Sequence, residues 1–436
     1  MPTWTAETIL ALAPDASSAK SGKELGTARK WVLLGANDAA LWGECQGSGS
    51  NPYQTQIDLS GPAFKCSCPS RKFPCKHGLG LFLLFESNAA LFTQKDVPDW
   101  VTKWLDSRAE RTEKKAQAVE TKAAPDPVAQ AKRAAQREDK VTAGLDELQR
   151  WLGDLLRNGL AEAQTKPYKF WDSMAARLID SQTPGLARMV GSLAGIPATG
   201  AGWQERMLES LSILHLVTQA WTRIESLPAD VQADVRSVIG FTVGQAELLE
   251  QSGIADQWQV LGVSLEEDDR LRVQRSWLIG RASGKPALIL DFAHASQPLD
   301  ATLRAGMDLN AELVYFPGTV PLRAVAKSRE SAPSEMSAAH SAVDIQSASA
   351  SYRSAVALNP WIERYPFILN SVVPVLSGER WYVQDSSALL PLPANYTSGW
   401  KLASISGGHP VDLFGEWDGR TFRPLTVWTD TKALPL

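Results

Sequence analysis

Three thiols and an imidazole fall within twelve residues: Cys66-Ser-Cys68, then Cys75-Lys-His77, in the run CSCPSRKFPCKH. Three thiolates and a histidine form a complete tetrahedral ligand set for zinc. The chain has 4 cysteines, and all but Cys45 gather here. Four protein ligands leave no position for water or substrate, which points to a structural ion rather than a catalytic one. With a neutral imidazole, three thiolates and Zn2+ sum to about −1. Lys65, Arg71, Lys72 and Lys76 surround the run, with no acid between Gly61 and Phe85. Such cations offset the thiolates, donate to the sulfurs, or form a small basic patch for phosphate or an acidic protein surface.

The flanking residues say how these side chains must be held. Pro69 ends the strand before it by removing a ladder donor. Pro74 keeps Phe73 extended and presets the entry to the next element. The apolar run Gly78–Phe85 reads as a short, largely buried helix with Cys75 and His77 at its N-terminal end. There the helix dipole favours a thiolate. Upstream, strand-like runs occupy 30–35, 39–45 and 53–59. A short helix with Ile9, Leu10 and Leu12 precedes Pro14. A helix or turn over 91–105, carrying Trp100 and Trp104, closes the unit. Cys45 lies outside the ligand spacing and reads as a plain strand cysteine.

The pattern Cys-x-Cys, a short spacer, then Cys-x-His resembles the SWIM zinc finger, a ββα module. The likeness extends upstream through Lys30–Gly35, Ala40–Ser50, Pro52-Tyr53 and Ile57–Ala63, which look like the strands and turns of the bacterial version. All ligand positions are present, so the resemblance implies one structural Zn2+ on Cys66, Cys68, Cys75 and His77. It covers about the first 90 residues; the remainder looks like the companion region of bacterial SWIM-family proteins. The resemblance implies DNA or protein binding, and an AAA-type ATPase assembly as a candidate partner.

A chain of 436 residues with 44% hydrophobic residues has room for two or three domains with real cores. Its formal net charge of −4 excludes a wholly basic surface, so any nucleic-acid contact is local. There is no apolar run long enough for a membrane span. The N-terminus lacks a basic region followed by an apolar core, so no secretory signal is expected. Few cysteines, mostly at metal spacing, fit a reducing compartment, and a cytoplasmic location follows.

The expected fold class is α+β and multidomain: an N-terminal ββα zinc-finger domain, a central α-helical bundle, and a C-terminal, mainly antiparallel β region. The boundaries read as 1–105 for the finger domain, 106–140 for a charged Ala-rich linker, 141–252 for the helical domain and 253–436 for the β domain, with a helical insert near 340–357. The linker reads as partly helical and mostly solvated, with Pro125 and Pro127 expected to break any helix there. Apolar residues at three- and four-residue spacing predict helices over 141–156, 170–179, 186–193, 207–221 and 231–249. His215 reads as a packed helix histidine. After Asp256 the period switches to two, and runs at 258–263, 271–280, 287–292 and 311–317 predict an antiparallel meander. Strands at 380–384, 400–405, 411–417 and 421–428 complete the chain, with an Asp-Gly hairpin turn at Asp418-Gly419.

No nucleophile elbow or dinucleotide fingerprint is present. Gly280–Pro286 is one residue short of a P-loop, and Pro286 replaces the required hydroxyl. His294 and His409 stand isolated. The expectation is a non-enzymatic, zinc-binding protein that mediates protein–protein interaction. The alternative is a DNA- or RNA-binding protein using Lys65, Arg71, Lys72 and Lys76 on phosphates.

Overall fold

A four-stranded antiparallel sheet carries the thiols. Its strands β1 (Trp31–Ala36), β2 (Ala40–Cys45), β3 (Tyr53–Asp58) and β4 (Ala63–Cys66) pair in chain order. We describe a computed structural model, covering residues 5–10, 12–14, 16–47, 51–59, 63–70, 72, 74–94, 96–108, 127–268, 271–294, 299–300, 302–329, 334–335, 342–429 and 432–436. Side chains alternate across the sheet, so Leu41, Cys45 and Ile57 share one face while Ala40 and Trp42 share the other. The first face is covered by α3 (Lys76–Ser87), backed by α1 (Ala6–Leu10) and α2 (Ala16–Leu25). The second is covered by helix α4 (99–108) through Val101, with Trp100 half-buried beside it. Both faces of the sheet are therefore partly covered, although Val32 on β1 stays exposed. The ββα finger, β3–β4–α3, is the end of a larger sheet.

The chain separates into two compact units: 1–124 with 265–274 and 291–302, and 125–264 with 275–290 and 303–436. In the second unit, α5 (Pro127–Arg157) starts inside the stretch read as a linker. Pro127 is its first residue, where a missing N–H costs nothing and a fixed φ suits the helix. The Ala, Gln, Lys and Arg residues that follow are strong helix formers. Pro125 lies outside the described residues. With α6 (Leu160–Ala163), α7 (Tyr168–Asp180), α8 (Pro184–Leu193), α9 (Trp203–Thr222) and α10 (Ala229–Ile239), α5 encloses a core that includes Leu148, Leu152, Trp171, Leu178, Val190 and Leu214. The stretch expected as one helix to residue 249 divides at Gly240, whose φ of 115° places it in the left-handed region that ends helices. A separate turn, α11 (Gln245–Leu249), follows. His215 is exposed on α9 rather than packed.

The β region is not a simple meander. Strands β5 (Ile254–Asp268), β6 (Leu271–Gly280) and β7 (Pro286–His294) are sequential neighbours. Strand β8 (Met307–Tyr315) returns to pair antiparallel with β5. Strand β9 (Arg323–Arg329) then joins β8 antiparallel and β7 parallel. The sheet closes on itself, which removes its open edges. The order 1-2-3-5-4-1, with strands 3 and 5 parallel, is the topology of the OB-fold, a five-stranded Greek-key barrel. Trp258, Val260, Leu278, Ile289, Leu309 and Leu313 fill it. A two-residue strand, β10 (Ser334–Glu335), adds to β8.

The last segment is an antiparallel sheet of β11 (Tyr365–Ser377), β12 (Arg380–Gln384), β13 (Leu389–Pro391), β14 (Val411–Trp417), β15 (Phe422–Trp428) and β16 (Ala433–Pro435), in the order β13-β12-β11-β14-β15-β16. Helices α12 (Ile345–Leu358) and α13 (Gly399–Ser406) pack on one face around Phe367, Val383, Leu402 and Phe422. The stretch 400–405, expected as a strand, is thus helical; its apolar residues Leu402 and Ile405 are three apart and meet the sheet together. The β14–β15 turn has the expected Asp-Gly form: Gly419 has φ 91°, and the Asp418 carboxylate accepts the N–H groups of Arg420 and Thr421.

The other face of this sheet covers the barrel. Phe414 and Trp428 pack against Trp277, Ile279 and Leu288 on the outside of β6 and β7. Glu416, 3% exposed, sits in this seam. It accepts hydrogen bonds from Arg275 Nε at 3.0 Å, Trp277 Nε1 at 2.7 Å and Arg364 Nη1 at 3.0 Å. The bundle joins the barrel as well: the Asp234 carboxylate on α10 accepts the N–H of Thr319 at 3.0 Å and its hydroxyl at 2.6 Å. Residues 125–264, 275–290 and 303–436, which hold the helices and most of the β strands, form one compact unit, and the β segments 265–274 and 291–302 belong to the other.

Candidate metal centre

Each ligand is placed by a different local device. Cys66 is the last residue of β4 and lies opposite Thr55 of β3. The ladder continues one step further: Ser67 N–H donates to Gln54 O at 2.9 Å, and Gln54 N–H donates to Ser67 Oγ at 2.9 Å. The strand end is therefore clamped on both sides of Ser67, with Cys68 entering the following turn. Cys75 is the N-cap of α3, in extended conformation, and its carbonyl already accepts the Leu79 N–H. His77 is the second residue of that helix. The expected helix start is observed two residues earlier than the apolar run, at Lys76.

These side chains converge. One ligand atom from each of Cys66, Cys68, Cys75 and His77 lies within 4.8 Å of all the others. His77 Nδ1 is 3.7 Å from Cys66 Sγ and 4.0 Å from Cys75 Sγ. Ligands about 2.0–2.3 Å from a central ion in tetrahedral array stand roughly 3.5–3.8 Å apart. The spacing therefore fits one zinc ion, with Nδ1 as the imidazole ligand. Cys75 and His77 are 2% and 5% exposed, and Cys66 and Cys68 are half-buried. Such burial keeps water from competing for the ion. Cys45, buried at the end of β2, stays outside the group, and burial, reinforced by Cys66, raises its thiol to about 11. It behaves as the strand cysteine expected.

Cys68, Cys75 and His77 are shifted in different directions. Hydrogen bonds from Cys66 and Cys75, with help from the Ser70 N–H, hold the Cys68 thiol far below its usual range. Cys66 and Cys68 push Cys75 far above it. Burial works against the His77 imidazolium, but the sulfurs of Cys66 and Cys68 outweigh it and raise His77 to about 9. A cluster that crowds partial negative charge around a few protons is suited to exchanging them for a dication.

Two supporting residues escaped the sequence reading. Thr55, fully buried, places its hydroxyl 3.2 Å from Cys66 Sγ. Tyr53 lays its ring 4.9 Å from the His77 ring. A strand threonine directly opposite a ligand cysteine is the available signal for the first. The expected basic surroundings are only partly described. Lys65, Lys72 and Lys76 are exposed beside the site, and Arg71 lies outside the described residues.

A strand pair, a tight Cys-x-Cys turn and a helix capped by Cys-x-His make this a structural zinc-finger module. Residues 53–85 match the SWIM zinc finger, and residues 136–239 match the SWIM-associated four-helix bundle domain. The chain therefore carries both SWIM modules, the finger and its companion bundle. No curated protein and no solved structure matches the chain. No helix among the described residues is long and apolar enough to cross a membrane.

Proposed function

We propose that this protein is a non-enzymatic, zinc-stabilised interaction protein whose finger and large second unit bind other proteins. The observation that carries the reading is the sealed side of the barrel. OB-type barrels take single-stranded nucleic acid across the face of their second and third strands. Here that face, on β6 and β7, is packed under Phe414 and Trp428 and locked by Glu416. The closed ligand set of the finger also supports the reading, because it offers no open metal position for catalysis. An AAA-type ATPase assembly is the partner class implied by the SWIM resemblance.

The exposed Lys65 and Lys76 beside the finger favour the second reading, DNA or RNA binding through local phosphate contacts. Two experiments separate them. Capture from native cells with the full chain and with Cys68→Ser as control tests the first: an enriched partner lost with the variant supports it, and no specific partner overturns it. A salt titration of binding to a generic duplex tests the second. Tight, steeply salt-dependent binding that Lys65→Glu with Lys76→Glu abolishes would establish nucleic-acid binding; no binding at low salt removes it.

A further inference from the structure

A groove of about 540 Å³ runs between α5 and the end of α9. We propose that it docks a Lys- or Arg-bearing peptide segment of a partner protein, which deepens the interaction reading above and rests on it. One wall is α5 from Glu138 to Gln149, eleven residues on, or about 16 Å at 1.5 Å per residue. That length accommodates roughly five residues of extended chain. The other wall is the last turn of α9 and the short turn after it, Ile224–Ser226. Leu145 and Trp221, 2% and 7% exposed, form an apolar floor. Such a floor suits the aliphatic stem of a long cationic side chain.

The charge around that floor is complementary to such a segment. Glu138, Asp146 and Glu225 line the groove against a single lining cation, Arg223. Glu138 is engaged by Arg236 at 2.8 Å, whereas Asp146 and Glu225 have no ion-pair partner among the described residues. The carbonyl end of the 20-residue α9 adds negative potential at the same place. Trp221 already shows how a guanidinium is held here: Arg236 lies 5.4 Å from its ring centroid, and its indole N–H is fixed by Thr142 Oγ1 at 3.0 Å. The ring is thus oriented before any ligand arrives.

The test uses the full chain and a fluorescent octalysine peptide, with binding followed by polarisation at low and moderate salt. Asp146→Lys with Glu225→Lys reverses the groove, and both positions are exposed, so the fold should persist. Asp172→Lys with Asp180→Lys makes the same change of net charge on exposed α7 positions that do not line the groove. We expect the groove variant to lose at least about tenfold in affinity and the control to stay within about twofold. Equal losses in both variants mean unspecific attraction to an acidic protein and overturn the proposal, as does no binding by the unaltered chain. A partner captured from cells yet insensitive to the groove variant also overturns it while leaving the interaction reading intact.

Discussion

Replacing Glu416 by alanine removes the acceptor of three donors at once. The side chain is 3% exposed, and the Arg275 and Arg364 side chains are 16% and 31% exposed, so water cannot fully take its place. Leaving the buried Trp277 indole N–H without an acceptor costs about 1–3 kcal/mol. Breaking a buried ion pair from one side costs about 3–5 kcal/mol in all, and the part-exposure of Arg364 pulls towards the lower end. The expected loss for Glu416→Ala is therefore about 3 kcal/mol, over a hundredfold in the folding equilibrium. Glu416→Gln keeps the shape and one acceptor, and should cost about half as much. Urea unfolding at pH 7, followed by tryptophan fluorescence and circular dichroism, measures both. A loss under about 1 kcal/mol for the alanine variant, at unchanged m, refutes the seam as a buried charge lock. The pH dependence supplies a second check. Burial alone would raise the Glu416 carboxyl, but Arg275, the Trp277 N–H and Arg364 outweigh it and hold it below its ordinary range. Stability from a depressed carboxyl is present above its unfolded value of about 4.3 and is lost as pH falls below it. The gap between the unaltered chain and Glu416→Gln should thus narrow only below about pH 4.

Cys68→Ser or His77→Ala should release the metal and unfold the finger while unit 125–264 with its β segments keeps its structure; metal analysis and hydrogen exchange check this, and an unaltered finger without zinc refutes it. Thr55→Val should weaken zinc about 10- to 100-fold in chelator competition, with Thr55→Ser near the unaltered value; equal behaviour of both variants would assign Thr55 to packing alone. Burial raises the Asp234 carboxyl despite its bonds from Thr319. Its contribution is therefore fully present below the unfolded value of about 3.9 and is lost as pH rises through the raised value. Urea midpoints should fall over that rise in the unaltered chain and flatten in Asp234→Asn, and parallel curves would sink the assignment.

The metal centre was legible because its information is local. Cys66 to His77 spans a turn and a helix start, and each residue type there has a narrow chemical use. Helices such as α7 and α9 were legible for a similar reason, since apolar residues recur at helical spacing. What escaped depends on partners distant in the chain. Barrel closure rests on β9 meeting both β7 and β8, and no local pattern distinguishes that from a meander. Glu416 reads as an ordinary strand-end acid until Arg275 and Arg364 are beside it. The start of α5 was misjudged because a proline was weighed as a breaker, when at a first helical position it is an initiator. Residues 400–405 were taken as a strand because six residues are too few to separate the two periods; Gly399 to Ser406 in fact forms two turns of helix.

Helix α3 ties metal supply to protein quality. Its N-cap and first turn contribute Cys75 and His77, and the residues that follow bury Leu79, Leu81, Phe82, Leu83 and Leu84. The ion and the apolar core thus hold the same helix from two ends. A newly made chain that has not captured zinc presents that oily segment to its surroundings, the kind of exposed run that chaperones and proteases act upon. Abundance of the protein should consequently track the zinc available during synthesis, making the finger a checkpoint on maturation as well as a scaffold.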